Sequence, residues 1–221
     1  ALRYFDSQEL QDVDGVLKVN NPPVIEDDHL YLFEGDTKAS IVLTDNDYDP
    51  DGDSLTYKSI SISSMPGSAT QFFINIFDTL KYSVYPKGAF NYLAEGEVHT
   101  ASYLSYSMED PDGLSDWGRV YVHVTGKNDA PVAADDNGVG FETDQDTPIT
   151  TPSILANDHD PDTLDTLSIR LIDDSRVKGD LTYNGDGTFD YDPAGAFDYL
   201  KAGETAQEIV RYILHDTGQP W

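Results

Sequence analysis

The stretch Asn46-Asp47-Tyr48-Asp49-Pro50-Asp51-Gly52-Asp53-Ser54-Leu55 returns later in the chain as Asn157-Asp158-His159-Asp160-Pro161-Asp162-Thr163-Leu164-Asp165-Thr166-Leu167. Three further stretches return in the same order: 21–24 as 129–132, 33–36 as 141–144, and 85–93 as 192–200. Pro23 and Pro131 are 108 positions apart, and Pro86 and Pro193 are 107 positions apart. A period of this length is that of a domain rather than of a solenoid turn. The chain is therefore a tandem array of one module, with carboxylates at fixed places in each copy.

Composition limits the class of protein and its partners. The 221 residues are 38% hydrophobic and include 14 Tyr and 9 Phe, which is enough for packed cores and argues against disorder. The formal charge of −28, from 41 acidic and 13 basic residues, argues against nucleic acid or an anionic membrane surface as a partner. No apolar run approaches the length of a membrane span, so membrane insertion is not expected. The chain has no Cys, so its stability must come from core packing or from metal ions.

The hydrophobic pattern predicts an all-β chain. Helical periodicity is almost absent, and short alternating or β-rich runs occur at 30–33, 40–43, 55–62, 72–76, 80–85, 102–108 and 119–124. Residues 181–191 read as a hairpin because they contain Asn184-Gly185 and Asp186-Gly187. About seven short strands per copy predict two tandem Ig-like antiparallel sandwiches. Single helical turns are expected at 93–97 and 200–204.

The repeats predict the domain bounds. Residues 1–20 read as the tail of a preceding repeat or as a free strand, residues 21–127 as the first repeat, and residues 128–221 as the second. The second repeat lacks its final strand, since nothing in it corresponds to the run at 118–125. We expect residues 13–20, or the same segment of another chain, to dock onto the second repeat by strand addition, giving a head-to-tail chain or a dimer by strand exchange. Insertion into the chain's own second repeat is disfavoured, because two sandwiches in line keep the ends far apart. The alternatives are a partly disordered second repeat or loss of its strand by proteolysis.

Taken together, these motifs resemble the cadherin-like and VCBS-type tandem repeats of large bacterial surface adhesins of the RTX type. The resemblance covers roughly residues 20 to 221, and it is carried by Asn-Asp-x-Asp-Pro-Asp, Pro-x-Gly-Ala-Phe-x-Tyr-Leu and Thr-Gly-Lys-Asn-Asp-Ala-Pro. It implies Ig-like sandwiches, Ca²⁺ at the domain junctions, secretion to the bacterial cell surface, and a role in attachment or biofilm. The neighbouring repeats of the same chain would then be the first partners.

The acidic loops have the chemistry of calcium sites. Calcium takes six to eight hard oxygen ligands, and alternating Asp residues aim several carboxylates at one point. Residues 47–52 match the first six positions of an EF-hand loop, but the twelfth position is Lys58 and no helices flank it. The EF-hand reading is therefore rejected. Zinc is disfavoured because His159 is the only nitrogen or sulfur ligand type beside these Asp residues.

The resemblance and the repeat together place the predicted ligands. The first copy contributes Asn20, Asn21, Asp47, Asp49 and Asp110. The second copy contributes Asn128, Asp129, Asp158, Asp160 and Asp216. Glu34 of the first copy is expected to reach the second of these sites. The competing interpretation is that these Asp residues only form turns in solvated loops. The same cluster in both copies favours calcium.

Three functions compete. An enzyme is disfavoured because the five His residues are scattered and the paired carboxylates, which could serve glycoside hydrolysis, lie in calcium-like clusters. A module that binds a surface glycan or a protein ligand remains open through Trp117 and Trp221, although an aromatic at that repeat position is expected to pack the edge of the core. The favoured interpretation is a calcium-stiffened stalk of repeated domains.

Overall fold

The computed structural model describes residues 10–13, 16–63 and 81–218 of the chain. The chain divides into two compact units, Ala1–Lys127 and Asn128–Trp221, which we call unit 1 and unit 2. The regular structure in the described ranges consists of β-strands and turns. The all-β prediction is therefore confirmed.

Unit 1 contains eight strands in the described residues. They are β1 (Leu10–Val13), β2 (Val16–Val19), β3 (Asp28–Phe33), β4 (Ala39–Val42), β5 (Thr56–Ile62), β6 (Lys81–Val84), β7 (Val98–Glu109) and β8 (Ser115–Thr125). Strands β1 and β2 pair with each other in antiparallel fashion. Strands β4 and β6 form a second antiparallel pair.

The main sheet of unit 1 has the order β3-β8-β7-β5. Its β7–β8 and β5–β7 pairs are antiparallel, whereas β3 runs parallel to β8, a pairing that the sequence pattern did not predict. Strands β3 and β8 both alternate buried and exposed positions, so one face of this sheet covers the core and the other faces solvent. The core includes Tyr82, Phe90 and Leu104, which are almost completely buried.

Unit 2 contains five shorter strands in the described residues. They are β9 (Ile149–Thr150), β10 (Ser168–Asp173), β11 (Asp180–Tyr183), β12 (Phe189–Asp192) and β13 (Arg211–His215). Strands β11, β12 and β9 form one antiparallel sheet, and β10 pairs with β13 in another. The β11–β12 pair confirms the predicted hairpin over 181–191.

The two units repeat the same pairings only in part. The pair β10–β13 corresponds to β5–β7, and β9–β12 corresponds to β4–β6. Residues 136–141, which correspond to β3, form no strand. The reason is that β3 takes its ladder bonds from β8, and the described part of unit 2 has no counterpart of β8. A strand without a partner cannot satisfy its backbone groups.

The remaining structural predictions have mixed outcomes. Strands lie at the predicted runs 30–33, 40–43, 55–62, 80–85, 102–108 and 119–124, with small shifts at the ends, whereas 72–76 falls outside the described residues. The segments 93–97 and 200–204, where single helical turns are predicted, each contain one hydrogen-bonded turn and no helix. The N–H of Glu97 donates to the Ala94 carbonyl at 2.9 Å, and the N–H of Glu204 donates to the Lys201 carbonyl at 2.8 Å. Strand exchange through residues 13–20 stays a prediction, and the described part of that segment pairs with β1.

Candidate metal centre

In unit 2, the acidic loop folds back onto the residues that open the unit. An antiparallel bridge joins Val132 to His159, with backbone N···O distances of 2.8 and 3.1 Å. The N–H of Asp129 then donates to Oδ2 of Asp162 at 2.9 Å. The N–H of Asp162 donates to Oδ1 of Asp160 at 2.8 Å, which is the local bond typical of an Asx turn. These bonds bring the acidic loop and the first residues of unit 2 to one place.

The end of strand β13 supplies another carboxylate to this cluster. Asp216 directly follows β13 and is 1% exposed. Its Oδ2 accepts a hydrogen bond of 3.4 Å from the side-chain amide of Asn128. Asp165 comes from the acidic loop that also holds Asp160 and Asp162. One carboxylate oxygen of each of these three residues lies within 4.8 Å of those of the other two. We call Asn128, Asp129, Asp160, Asp162, Asp165 and Asp216 the unit 2 cluster.

Unit 1 builds an equivalent cluster from equivalent residues. The bridge there joins Val24 to Tyr48. The N–H of Asn21 donates to Oδ2 of Asp51 at 2.6 Å, and the N–H of Asp51 donates to Oδ1 of Asp49 at 2.8 Å.

The side-chain amide of Asn20 donates to Oδ2 of Asp110 at 2.8 Å, as Asn128 does to Asp216. Asp110 directly follows β7 and is 2% exposed, so its place in the fold matches that of Asp216 after β13. We call Asn20, Asn21, Asp49, Asp51 and Asp110 the unit 1 cluster.

The unit 2 cluster holds more acceptor oxygens than donors. Four of its buried oxygens have no hydrogen-bond partner among the described residues: Asn128 Oδ1, Asp129 Oδ2, Asp160 Oδ2 and Asp162 Oδ1. In the unit 1 cluster, Oδ2 of Asp49 is buried in the same way. Burying an acceptor without a partner costs roughly 1–3 kcal/mol, and more for a charged group. Several such oxygens at one point are the arrangement that a bound cation relieves.

The electrostatics of the unit 2 cluster agree with this reading. Burial raises the pKa of the Asp160 carboxyl, and the charges of Asp216, Asp165 and Asp129 raise it further. Burial also raises the pKa of the Asp162 carboxyl, again with help from neighbouring carboxylates. Asp160 and Asp162 therefore resist ionisation beside the other carboxylates, and a positive ion at the centre would remove that resistance.

The structure brings together eight of the predicted ligands, four in each unit. They are Asn20, Asn21, Asp49 and Asp110 in unit 1 and Asn128, Asp129, Asp160 and Asp216 in unit 2. Sequence reasoning missed Asp51, Asp162 and Asp165. The first two carried a usable signal, because the third Asp of Asp-x-Asp-Pro-Asp is present in both copies.

Asp47 and Asp158, also predicted as ligands, bind tyrosines instead. Asp47 accepts hydrogen bonds from the backbone N–H of Glu26 at 3.1 Å and from the hydroxyl of Tyr106, with Oδ2 at 3.1 Å. In unit 2, Asp158 accepts from the backbone N–H of a residue in the same position of the repeat, Ala134, at 2.8 Å.

The tyrosine is Tyr106 in unit 1 and Tyr212 in unit 2, and a second carboxyl contacts each of the two hydroxyls. Asp28 Oδ2 lies 3.0 Å from the Tyr106 oxygen, and Asp136 Oδ2 lies 2.9 Å from the Tyr212 oxygen. The Asp158 Oδ2 is 3.2 Å from the same Tyr212 oxygen. An Asp–Tyr–Asp group is thus built twice, once beside the unit 1 cluster and once beside the unit 2 cluster.

The Asp–Tyr–Asp group of unit 1 contains too few protons for its contacts. The Tyr106 hydroxyl has one proton, and its oxygen lies 2.6 Å from the Leu43 carbonyl in addition to the two carboxyls. Burial, followed by the charge of Asp47, raises the pKa of the Asp28 carboxyl to about 7. Asp28 therefore carries a proton well above its usual pH range, and this proton supplies the missing donor.

This proton makes the stability of unit 1 depend on pH. Because the folded pKa of Asp28 lies above its unfolded value, its stabilising contribution is complete below a pH of about 4 and is lost as pH rises to about 7. Without metal, we expect the free energy of unfolding to fall over this range, and we expect Asp28→Asn to remove part of the slope because the amide stays neutral. Chemical denaturation in chelator at a series of pH values measures the slope.

The exposed substitution Glu95→Gln is the matched control, since it removes one carboxylate without touching this group. It should leave the slope as in the parent chain. Equal pH slopes for the parent and Asp28→Asn would contradict the protonation of Asp28.

Glu34, the last predicted ligand, directly follows β3 in unit 1. It is 4% exposed, and its Oε1 accepts the backbone N–H of Lys127 at 2.5 Å. Its carboxylate therefore fixes the backbone at the end of unit 1. Its predicted contribution to a cation site of unit 2 stays a prediction.

Family models recognise both units. Residues 20–123 match a model described as a bacterial Ig domain, and residues 128–220 match one described as a bacterial cadherin-like domain. The chain is a tandem of bacterial Ig-like and cadherin-like domains. This confirms the resemblance to cadherin-like bacterial surface repeats and the Ig-like fold class. Domains of these families are typically non-enzymatic modules of extracellular surface proteins, and cadherin-like domains generally bind calcium.

Some solved structures are similar to parts of the chain at low identity. The ectodomain of human desmocollin-1 is 12% identical with a TM-score of 0.44, and the match covers 92% of this chain and 39% of that one. A nucleoside hydrolase-related hypothetical protein from Saccharophagus degradans is 23% identical with a TM-score of 0.32 over 48% of this chain and 26% of that one. The chain therefore spans less than half the length of these structures. No curated protein sequence is significantly similar to it. Among the described residues, no helix is long and apolar enough to cross a membrane.

Proposed function

We propose that this chain is a calcium-binding, calcium-rigidified repeat of an extracellular bacterial adhesin, which acts as a stalk in cell attachment or biofilm. The observation that carries the proposal is the repetition of one oxygen cluster. In each unit, five equivalent residues form the same hydrogen-bond pattern. The first is Asn, the second is Asn in unit 1 and Asp in unit 2, and the other three are Asp. In unit 2, four buried oxygens of this cluster lack a donor among the described residues.

The donor atoms favour calcium over other metals. The unit 2 cluster offers carboxylate and amide oxygens from six residues and no nitrogen or sulfur ligand, which suits a hard cation of high coordination number. Magnesium demands a rigid octahedron and keeps several waters, and zinc takes nitrogen or sulfur ligands in most sites. We keep Asp47 and Asp158 outside the ligand set, because backbone N–H groups and tyrosine hydroxyls already occupy their oxygens.

When bound, calcium would supply the positive charge that the buried carboxylates lack. The chain's own residues hold the carboxylates in place: Asn128 orients Asp216, and the backbone of Asp129 orients Asp162. Because Asn128 and Asp129 directly follow Lys127, the last residue of unit 1, an ion here would fix the start of unit 2. A chain of such repeats would stiffen as calcium binds.

Small-angle scattering tests the stiffening. Adding calcium to the metal-stripped chain is expected to increase the maximum dimension, because carboxylate repulsion at the start of each repeat is removed. Magnesium at the same ionic strength is the control for screening. The variant Asp160→Ala should lose most of the response while both units stay folded by circular dichroism. Superimposable scattering profiles with calcium and with chelator would contradict the stalk function.

A further inference from the structure

The outer face of the main sheet in unit 1 carries side chains that the calcium sites do not use. Along β8, Gly118, Val120, Val122 and Val124 are buried, so the alternate positions point away from the core. Those positions hold Trp117, Arg119, Tyr121 and His123. Trp117 is 56% exposed, so the expectation that it packs the edge of the core is wrong, while the same expectation for Trp221 lies outside the described residues.

Two adjoining cavities lie along this row. One, of about 290 Å³, is lined by Ser61, Ser63, Ser102, Ser105, Arg119 and Tyr121 among others. The second, of about 400 Å³, is lined by Asp27, Ser105, Trp117, Gly118 and Arg119. Ser105 and Arg119 line both cavities, and we call the two together the trough. Tyr121 lines the first cavity, Trp117 lines the second, and the other three serines line the first.

The aromatic wall at the Tyr121 end is braced by its neighbours. The ring of His29 stacks on Tyr121 at 5.3 Å between centroids and 15° between planes. His29 Nδ1 lies 2.9 Å from His123 Nε2, and the Thr100 hydroxyl lies 2.9 Å from the other ring nitrogen of His123. The stack on His29, which is itself held by His123, restricts the orientation of the Tyr121 ring. Binding to a pre-oriented ring loses little conformational entropy.

The charges of the trough indicate the chemistry of its occupant. Arg119 contributes one cation and Asp27 one carboxylate, and Asp27 Oδ1 accepts the backbone N–H of Arg119 at 2.8 Å. Among the described residues, no carboxylate forms an ion pair with the Arg119 guanidinium within 4.0 Å. A trough with one charge of each sign, on a chain of net charge −28, fits a neutral ligand better than an anionic one.

We propose that this trough binds a neutral polysaccharide. The apolar faces of sugar rings would pack on Trp117 and Tyr121, which lie four residues apart on one strand, or about 13 Å. Sugar hydroxyls would accept from Arg119, donate to Asp27, and exchange hydrogen bonds with the serines. The proposal does not rest on calcium, since none of these residues belongs to the unit 1 cluster.

Affinity electrophoresis in native gels tests this proposal with defined probes. The gels contain laminarin, xyloglucan, galactomannan or dextran as neutral polysaccharides and alginate as the anionic one, each run with calcium and with chelator. We expect at least one neutral polysaccharide to retard the chain in both conditions. Trp117→Ala and Arg119→Ala should each weaken binding by about 10-fold or more, since central aromatic and Arg contacts dominate such sites.

The matched control is Tyr199→Ala, which removes an aromatic that is 60% exposed in unit 2. It should leave retardation unchanged. Thermal melting of each variant verifies folding, and both tested side chains of the trough are exposed. The proposal would be overturned if only alginate, or no neutral polysaccharide, retarded the parent chain. Equal retardation of the parent and both trough variants would also overturn it.

Discussion

Asp162→Ala should abolish the calcium response of unit 2 and leave that of unit 1 intact. Asp162 is 1% exposed, its Oδ2 holds the Asp129 backbone, and its Oδ1 has no donor among the described residues. It is therefore both a proposed ligand and the support of a second one. Removing it should weaken calcium binding to unit 2 on the order of 100-fold, because affinity follows the number of carboxylate ligands.

Hydrogen exchange resolves the two units within one sample. Calcium at about 100 times its dissociation constant adds about 2.7 kcal/mol to the stability of the unit that binds it, so peptides from unit 2 of the parent chain should exchange more slowly. In Asp162→Ala this protection should disappear from peptides covering β10 and β13, while peptides covering β5 and β7 keep it.

The exposed substitution Asp174→Ala is the control for charge alone. It removes one carboxylate from unit 2 without touching the cluster, and it should behave as the parent chain does. Undiminished calcium protection of unit 2 in Asp162→Ala would contradict the proposed ligand set.

Tyr106→Phe should destabilise unit 1 strongly although it removes a single oxygen. Tyr106 is completely buried, and its hydroxyl lies 2.6 Å from the Leu43 carbonyl and 3.0 Å from Asp28 Oδ2. Without this hydroxyl, the carbonyl and the carboxyls of Asp28 and Asp47 lose a shared partner. Leaving such groups unsatisfied costs about 2–3 kcal/mol, with larger values where a charge is involved.

Urea denaturation followed by tryptophan fluorescence measures this loss, with Trp221→Phe in every variant so that Trp117 is the single reporter. Tyr48→Phe is the matched control, because Tyr48 is 53% exposed and its removal of the same oxygen should change the free energy of unfolding very little. The loss in Tyr106→Phe should grow as pH rises, because the Tyr106 hydrogen bond lowers the pKa values of Asp28 and Asp47, and its removal leaves the ionised carboxylates without that donor. A loss as small as that of Tyr48→Phe would show that the Asp–Tyr–Asp group does not stabilise the fold.

The sequence predicted the fold class well because its signals are local. Alternating residues around Val120 and Val122 in β8 mark a strand with one buried face, and Asn-Gly and Asp-Gly steps mark the β11–β12 hairpin. The parallel β3–β8 pair was not predictable in this way, since it joins residues about 90 positions apart and leaves no mark on either strand alone. The loss of β3's counterpart in unit 2 follows from the same long-range pairing.

The residues of the site could be predicted only where the repeat identifies them. The motif Asp-x-Asp-Pro-Asp marks a cluster, but it does not say which of its carboxylates turns inward. The structure separates them: Asp49 and Asp51 face Asn21, whereas Asp47, two residues earlier than Asp49, turns to Tyr106. The trough between Trp117 and Tyr121 was less visible, because its serines come from two other strands of the sheet.

The most direct measurement of the central claim is a calorimetric titration of the metal-stripped parent chain with calcium at physiological salt. The proposed clusters predict saturable binding, far weaker binding of magnesium, and release of protons on binding, because calcium displaces protons from carboxyls whose pKa values burial has raised. The same titration of Asp162→Ala should lose the part of the signal that belongs to unit 2. Heats of dilution alone, with no saturation by calcium in the parent chain, would contradict the claim that these oxygen clusters are calcium sites.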